Sequence, residues 1–411
     1  MTVMTPLSPT DSASRYRSLD LIRGIAVAGI LIMNIYAFAN IYPYYVNPYA
    51  LGEPSTINLT TWLITHIFAD QKFYSLFSML FGAGIMLMAQ RAQNNHISAT
   101  WLHYKRMFWL LLFGIIHAIF IWYGDILVTY AIAGFWTFFF ALRSSGKTKI
   151  IIGSILIAMM ILFMSLFAIS LDQMPEADIA EMIELFQPSQ LGIEYETAPY
   201  ITSYAAQLEH RTEFFLSNLP MMVFFFGLFR IGGSILLGMG LYQLGILTAQ
   251  RSRSFYIKLM LFTFIIGFSL LAYDTSLLLR SNFGIKESTL SFMTINSAAA
   301  VFVAIGYVAL FCLWVKSNLW KGFRMRLEAV GRMAFTNYIS QSLICTFIFY
   351  SHGLGLFAQL ERYQLMFIVA SIFIAQLLWS PWWLARFKFG PLEWLWRSLS
   401  YGKPQPFKRT K

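Results

Sequence analysis

The sequence predicts an all-α fold: a polytopic membrane helix bundle of about ten transmembrane helices, with N- and C-termini cytoplasmic. Three observations predict it. Hydrophobic residues make up 58% of the chain and charged residues 12%, where a soluble chain carries about 25% charged. With a mean hydropathy of +0.60, the apolar residues gather into runs near the length that a helix needs to cross a bilayer. Lys and Arg recur at alternate junctions between those runs. This pattern excludes a soluble globule, a disordered chain, a coiled coil and a disulfide scaffold. A net charge of +11 would suggest nucleic acid in a soluble protein. Here topology accounts for it, and no nucleic-acid partner is expected.

The first span runs from Leu19 to about Ile41. Arg15 and Arg17 precede it, and Ala37-Phe38-Ala39 resembles a signal-peptidase site. Asp20 and Arg23 interrupt the start of the run, so it reads as an uncleaved membrane helix. The second span ends with Phe73 to Ala89 and has an earlier start near Leu59 as an option. Next come Met107 to Trp122, Ile126 to Leu142, and Ile150 to Leu171. The sixth span is irregular within Phe214 to Leu247 and is expected to be broken or re-entrant near Pro220. The last four are Phe255 to Leu279, Leu290 to Val315, Met333 to Tyr350 and Leu365 to Leu384. With the N-terminus inside, the inner segments hold 24 Lys and Arg, the outer segments five, and Arg230 lies within a span. That asymmetry is the positive-inside pattern.

These spans divide the chain into a disordered tail (1–14), a first five-helix half (15–171), an acidic extracytoplasmic loop or cap (172–213), a second five-helix half (214–390) and a basic cytoplasmic tail (391–411). The acidic stretch contains nine acids and one basic residue, Arg211. Ala177 to Phe186 has helical spacing, which suits a cap of short amphipathic helices. A solvated loop from which the outer side excludes Lys and Arg explains the charge more simply. Cys312 and Cys345 lie in apolar runs and suit neither a zinc site nor an expected disulfide.

Ionisable groups within spans are costly and mark candidate sites. His117 lies two thirds of the way along the third span, and Asp125 follows eight residues later. A neutral imidazole near a carboxylate is a usual general base; interhelical packing is the alternative role. His66 stands four residues before Asp70, on one helix face if the helix continues. Asp70 and Lys72 could serve chemistry or anchor the span at the boundary, with Lys72 snorkelling. Asp20 and Arg23 can pair and cap the first helix, or floor a site; Asn34 further along could bond a neighbouring helix or a substrate. Arg230 could clamp an anion or snorkel. Asp274 is unpaired in sequence. Asn337 and Gln341 suit helix-to-helix bonding. Arg324, Arg326 and Arg332 form a basic patch that topology explains, but that could also hold phosphates. No Walker motif, dinucleotide fingerprint, HExxH or GxSxG is present, and no metal ligands are expected.

Four strings carry a resemblance: Ser18–Ala26, Asp70–Gly84, Gly114–Ala118 leading to Gly124–Ala131, and Gly331–Leu343. They resemble the YeiB-like family of bacterial polytopic proteins of unknown function. The first also resembles the opening of membrane acyltransferases such as heparan glucosaminide acetyltransferase. That wider resemblance implies transfer of an acyl group from cytoplasmic acyl-CoA, acetyl-CoA included, to an acceptor across the membrane, using a histidine. It puts Asp20 and Arg23 in the shared opening motif and Asp70 near the shared second-helix acid.

The expected function is therefore an inner-membrane acyltransferase. His117 would take the proton and Asp125 or Asp70 would orient it. Asp20, Arg23, Asn34, His66, Lys72, Arg230, Asp274, Arg332, Asn337 and Gln341 are candidates for substrate binding. No cofactor is expected to be resident. The expected partners are the lipid bilayer and a small-molecule or cell-envelope glycan or lipid acceptor, with a homodimer left open. The alternative is a proton-coupled secondary transporter using Asp70, Asp274 and His117.

Overall fold

Each expected span is helical. The computed structural model describes residues 16–409, so the expected tail 1–14 and the basic residues Arg15 and Lys411 lie outside them. In chain order the helices are α1 (Arg17–Ala39), α2 (Tyr42–Val46), α3 (Thr56–Phe68), α4 (Lys72–Asn94), α5 (Ala99–Phe120), α6 (Leu127–Arg143), α7 (Gly146–Ser170), α8 (Glu176–Glu184) and α9 (Gln190–Thr202). There follow α10 (Tyr204–Met221), α11 (Gly232–Gln243), α12 (Arg253–Arg280), α13 (Ile285–Leu290), α14 (Asn296–Val315), α15 (Lys321–Arg332), α16 (Ala334–Phe349), α17 (Arg362–Arg386) and α18 (Pro391–Tyr401). Among the described residues there is no strand beyond one isolated bridge, Phe387 to Lys408.

Among the described residues, seven helical stretches are long and apolar enough to cross a membrane: α1, α3–α4, α7, 204–243, α12, 285–315 and α17. The other three expected spans are α5, α6 and α16, of which α6 is a shorter apolar helix. Serine hydroxyls start several helices by accepting from backbone N–H groups: Ser98 from Trp101, Ser145 from Thr148 and Ser252 from Phe255.

Two expectations change. The second span is two helices, broken at Ala69–Gln71, where Gln71 takes a left-handed φ of 60°. The sixth is not broken at Pro220. The helix continues from Tyr204 to Gln243, but Met222–Ile231 winds as a π-helix, the wider turn in which ladder defects are absorbed.

The core lies where α4 and α11 cross. A Cβ at Gly238 would stand 1.9 Å from the Met79 carbonyl oxygen, and one at Gly82 2.1 Å from that of Ile235. Only glycine permits backbones to meet so closely. At one end of the bundle Ser18 donates to the Leu247 carbonyl and Trp396 of α18 to that of Arg106. Both ends of the described chain lie there. At the opposite end α2, α8, α9 and the start of α10 form a docked cap. Asn47 donates to the Phe186 carbonyl, Tyr42 N–H to Glu196 Oε1, Ser351 N–H to the Tyr200 carbonyl, and Arg211 to that of Ile119. Stretch 172–213 is therefore largely helical rather than a free loop. Cys312 and Cys345 are separate buried thiols.

Candidate functional site

Two buried polar clusters stand in the apolar bundle. The first joins α5, the α5–α6 turn and α16. His117 Nδ1 lies 2.8 Å from Asp125 Oδ1, and His117 Nε2 lies 2.9 Å from Ser342 Oγ. Asp125 Oδ2 accepts from Val128 N–H at 2.7 Å, so the start of α6 fixes the carboxylate. None of His117, Asp125 and Ser342 is more than 5% exposed. A carboxylate facing Nδ1 keeps the ring proton there and leaves Nε2 free to accept. Trp122 and Tyr338 pack their rings against the imidazole. His117 is three residues before the end of α5, where Arg211 of the cap donates to the Ile119 and Ile121 carbonyls.

The second cluster gathers at the α3–α4 break. His66 Nε2 lies 3.0 Å from Asp274 Oδ2, and His66 Nδ1 lies 3.3 Å from Asp70 Oδ2. Lys72 Nζ donates at 2.7 Å both to the His66 carbonyl and to Asn296 Oδ1. Asn296 donates to Asp70 Oδ2 at 2.6 Å, and Ser291 to Asp274 Oδ2 at 3.0 Å. Trp62 stacks on His66 at 4.9 Å. Lys72 is fully buried and bonded within the protein, so it does not snorkel. An adjoining cavity of about 20 Å³, lined among others by Tyr45, Trp62, His66, Asp70, Ser291 and Asn296, has room for one water. Tyr45 of α2, in the cap, stacks on Tyr42 and donates to Asp70 Oδ1 at 3.5 Å, so this cluster also adjoins the cap.

Of the two acids expected to orient His117, Asp125 contacts it, whereas Asp70 belongs to the second cluster. The other candidates are scattered. Asp20 and Arg23 pair at 3.4 Å at the uncapped end. Asn34 is half-buried on α1. Arg230 is buried on the π-helical segment and donates to Ser75 and Ser234. Asn337 bonds the Val330 carbonyl, Ser380 and Trp379, and Gln341 bonds the Val27 carbonyl and Gln376, so both tie helices together. In the basic patch, Arg324 donates to the carbonyls of Trp314, Val315 and Ser317. It closes the C-terminal end of α14 and is turned away from any phosphate. Arg326 reaches the Leu377 carbonyl, while Arg332 ends α15. Among the described residues no three His, Cys, Asp or Glu side chains are placed to hold a metal together.

Sequence reasoning missed Ser342, Ser291 and Asn296. Asn296 had a signal, being an amide inside an apolar run. The serines had none, because hydroxyls are common in membrane helices.

Comparison with known proteins agrees with this architecture in extent. Residues 241–403 match a family described as protein of unknown function (DUF418). The chain is 29% identical over 386 residues, 93% of its length and 95% of the relative's, to the uncharacterized protein YeiB of Escherichia coli (strain K12). It is 28% identical over 430 residues, covering 99% of its length and 100% of the relative's, to the uncharacterized protein YxaH of Bacillus subtilis (strain 168). No solved structure matches it. Over nearly its whole length the chain is similar to these two uncharacterized proteins, and across residues 241–403 it is similar to that family of unknown function.

Proposed function

We propose that the chain is an acyltransferase of the bacterial inner membrane, moving an acyl group from cytoplasmic acyl-CoA to an acceptor on the far side. The acceptor class is a small molecule or a cell-envelope glycan or lipid with a free hydroxyl or amine. The observation that carries this reading is the oriented imidazole. His117 Nδ1 lies 2.8 Å from Asp125 Oδ1, and Nε2 faces a hydroxyl at 2.9 Å. A base so placed takes a proton from an attacking hydroxyl or amine, and positioned bases contribute about 10²- to 10⁴-fold. The resemblance of the Ser18–Ala26 string to membrane acyltransferases supports the same class.

The test is acyl-CoA turnover by the purified protein in detergent. Wild type is expected to bind acetyl-CoA or a longer acyl-CoA and to release CoA slowly. His117→Ala is expected to lose at least about 100-fold in rate while keeping its melting temperature within a few degrees. Full activity in His117→Ala would refute the assignment.

A second reading, proton-coupled transport, draws on the other cluster. Asp70, His66, Lys72 and Asp274 meet at a helix break, and broken helices with ionisable groups are where transporters bind ions. Counterflow of a labelled small molecule in liposomes, lost in Asp70→Asn, would favour it.

A further inference from the structure

The geometry points to Ser342 as the nucleophile that carries the acyl group between donor and acceptor. This inference rests on the acyl-transfer reading. Ser342 is not merely a hydroxyl near the base. It completes a chain of three groups drawn from three places in the sequence: Ser342 Oγ at 2.9 Å from His117 Nε2, His117 Nδ1 at 2.8 Å from Asp125 Oδ1, and Asp125 Oδ2 at 2.7 Å from Val128 N–H. Nucleophile, base and orienting carboxylate in that sequence form the arrangement that activates a hydroxyl. With the ring proton at Nδ1, Nε2 is the acceptor and Ser342 the donor. In a direct transfer the acceptor hydroxyl would first have to displace Ser342 from Nε2. With Ser342 as first acceptor, the observed bond is already the reactive one.

Burial favours the same role. Ser342 and His117 are each 1% exposed, enclosed among packed helices. A direct transfer needs both substrates at this buried pair together. A relay lets the donor arrive from one side and the acceptor from the other, in turn. The indole N–H of Trp122, whose ring lies edge-on to His117, is buried without a hydrogen-bond partner. A donor left unused beside the pair suits the carbonyl oxygen that gains charge in each step.

In the first step Ser342 Oγ adds to the thioester carbonyl carbon while its proton passes to His117 Nε2. The C–S bond then breaks, and the proton leaves on the CoA sulfur. An ester on Ser342 remains. In the second step the acceptor hydroxyl or amine gives its proton to Nε2 and adds to the ester carbonyl. The bond to Oγ breaks, and the proton returns to Ser342. Asp125 stays a carboxylate throughout.

The experiment treats the purified full chain with a small alkyl fluorophosphonate and, separately, with radiolabelled acetyl-CoA and a longer acyl-CoA, and locates the adduct by peptide mass. Wild type is expected to be phosphonylated at Ser342. That labelling should vanish in Ser342→Ala and slow at least about 100-fold in His117→Gln. The acyl-CoAs are expected to leave a hydroxylamine-labile acyl group on the same residue, and Ser342→Cys should retain an acyl adduct as a thioester. Melting curves identify any variant that fails to fold. No phosphonylation of Ser342 in wild type overturns the inference. So does acyl transfer that survives Ser342→Ala but not His117→Ala, and that outcome leaves the acyltransferase reading standing. Labelling of Ser342 that depends on His117, with no reaction towards any acyl-CoA, upholds the activated serine and refutes acyl-CoA as donor.

Discussion

An imidazole that meets a carboxylate at each nitrogen can satisfy both only when both nitrogens carry protons. His66 is in that position, between Asp70 and Asp274. With His66 as imidazolium and Lys72 as ammonium, two cations face two anions and the buried cluster is neutral. Removing one partner of such a set leaves an uncompensated buried charge, which costs about 3–5 kcal/mol. Asp274→Ala is therefore expected to lower stability by that order, measured by denaturant unfolding in detergent, whereas exposed Lys403→Ala should leave it unchanged. Equal stability of the two variants would mean that the cluster is not charged as described. The same scale shows what a sequence can reveal. His117, Asp70 and Asp274 stand out because an ionisable group in an apolar run is expensive. Ser342 does not, since its partner lies 225 positions away and a hydroxyl in a helix can bond its own backbone.

Between elements, stability depends on close approach and on the cap. A Cβ at Gly331 would stand 1.9 Å from the Asp20 carbonyl oxygen, and one at Gly24 2.1 Å from that of Leu327. α1 and α15 thus touch backbone to backbone. Gly331→Leu should force them apart and cost at least about 1–3 kcal/mol, seen as a lower melting temperature; an unchanged melt would deny that the contact holds. The cap adds a pH dependence. Glu196, partly buried in α9, has its carboxyl pushed up to about 7 by burial, against which the Tyr42 N–H bond acts. A carboxyl raised in this way binds a proton more tightly in the docked cap than when released. Its contribution is therefore full below the ordinary carboxylate range and falls as pH rises towards about 7. Hydrogen-exchange protection of residues 190–202 should drop between pH 5 and pH 8 after correction for intrinsic rates. Glu196→Gln should flatten that change; a persistent change would assign it elsewhere. Apolar run length makes the long helices legible. The break at Ala69–Gln71 is not, because Asp70-Gln-Lys is as ordinary within a helix as between two. Pro220 misleads in the other direction, since the π-helical turns after it keep the helix continuous.

For the whole molecule, the charge asymmetry makes a prediction about sidedness. The uncapped end holds both ends of the described chain and the Lys- and Arg-rich junctions, and is expected to face the cytoplasm, with the cap outside. Single cysteines at exposed Leu191 and Lys403 should differ in intact cells: a membrane-impermeant maleimide should label the first and not the second. The reverse result would invert the topology. The native thiols are buried and should give little background. The helical membrane bundle is legible because bilayer thickness sets a minimum length for an apolar crossing, which seven helical stretches among the described residues reach. The pairing of helices is not, because it depends on contacts between distant segments. The α1–α15 seat is one of these, and it bears on the order of synthesis. Gly24 and Gly331 are separated by roughly 300 residues, and ribosomes add about 5–20 residues per second. α1 therefore waits about 15–60 seconds for its partner α15 to be synthesised. A nascent chain halted before residue 321 should be recognised as unfinished and degraded, however well its first helices have been inserted.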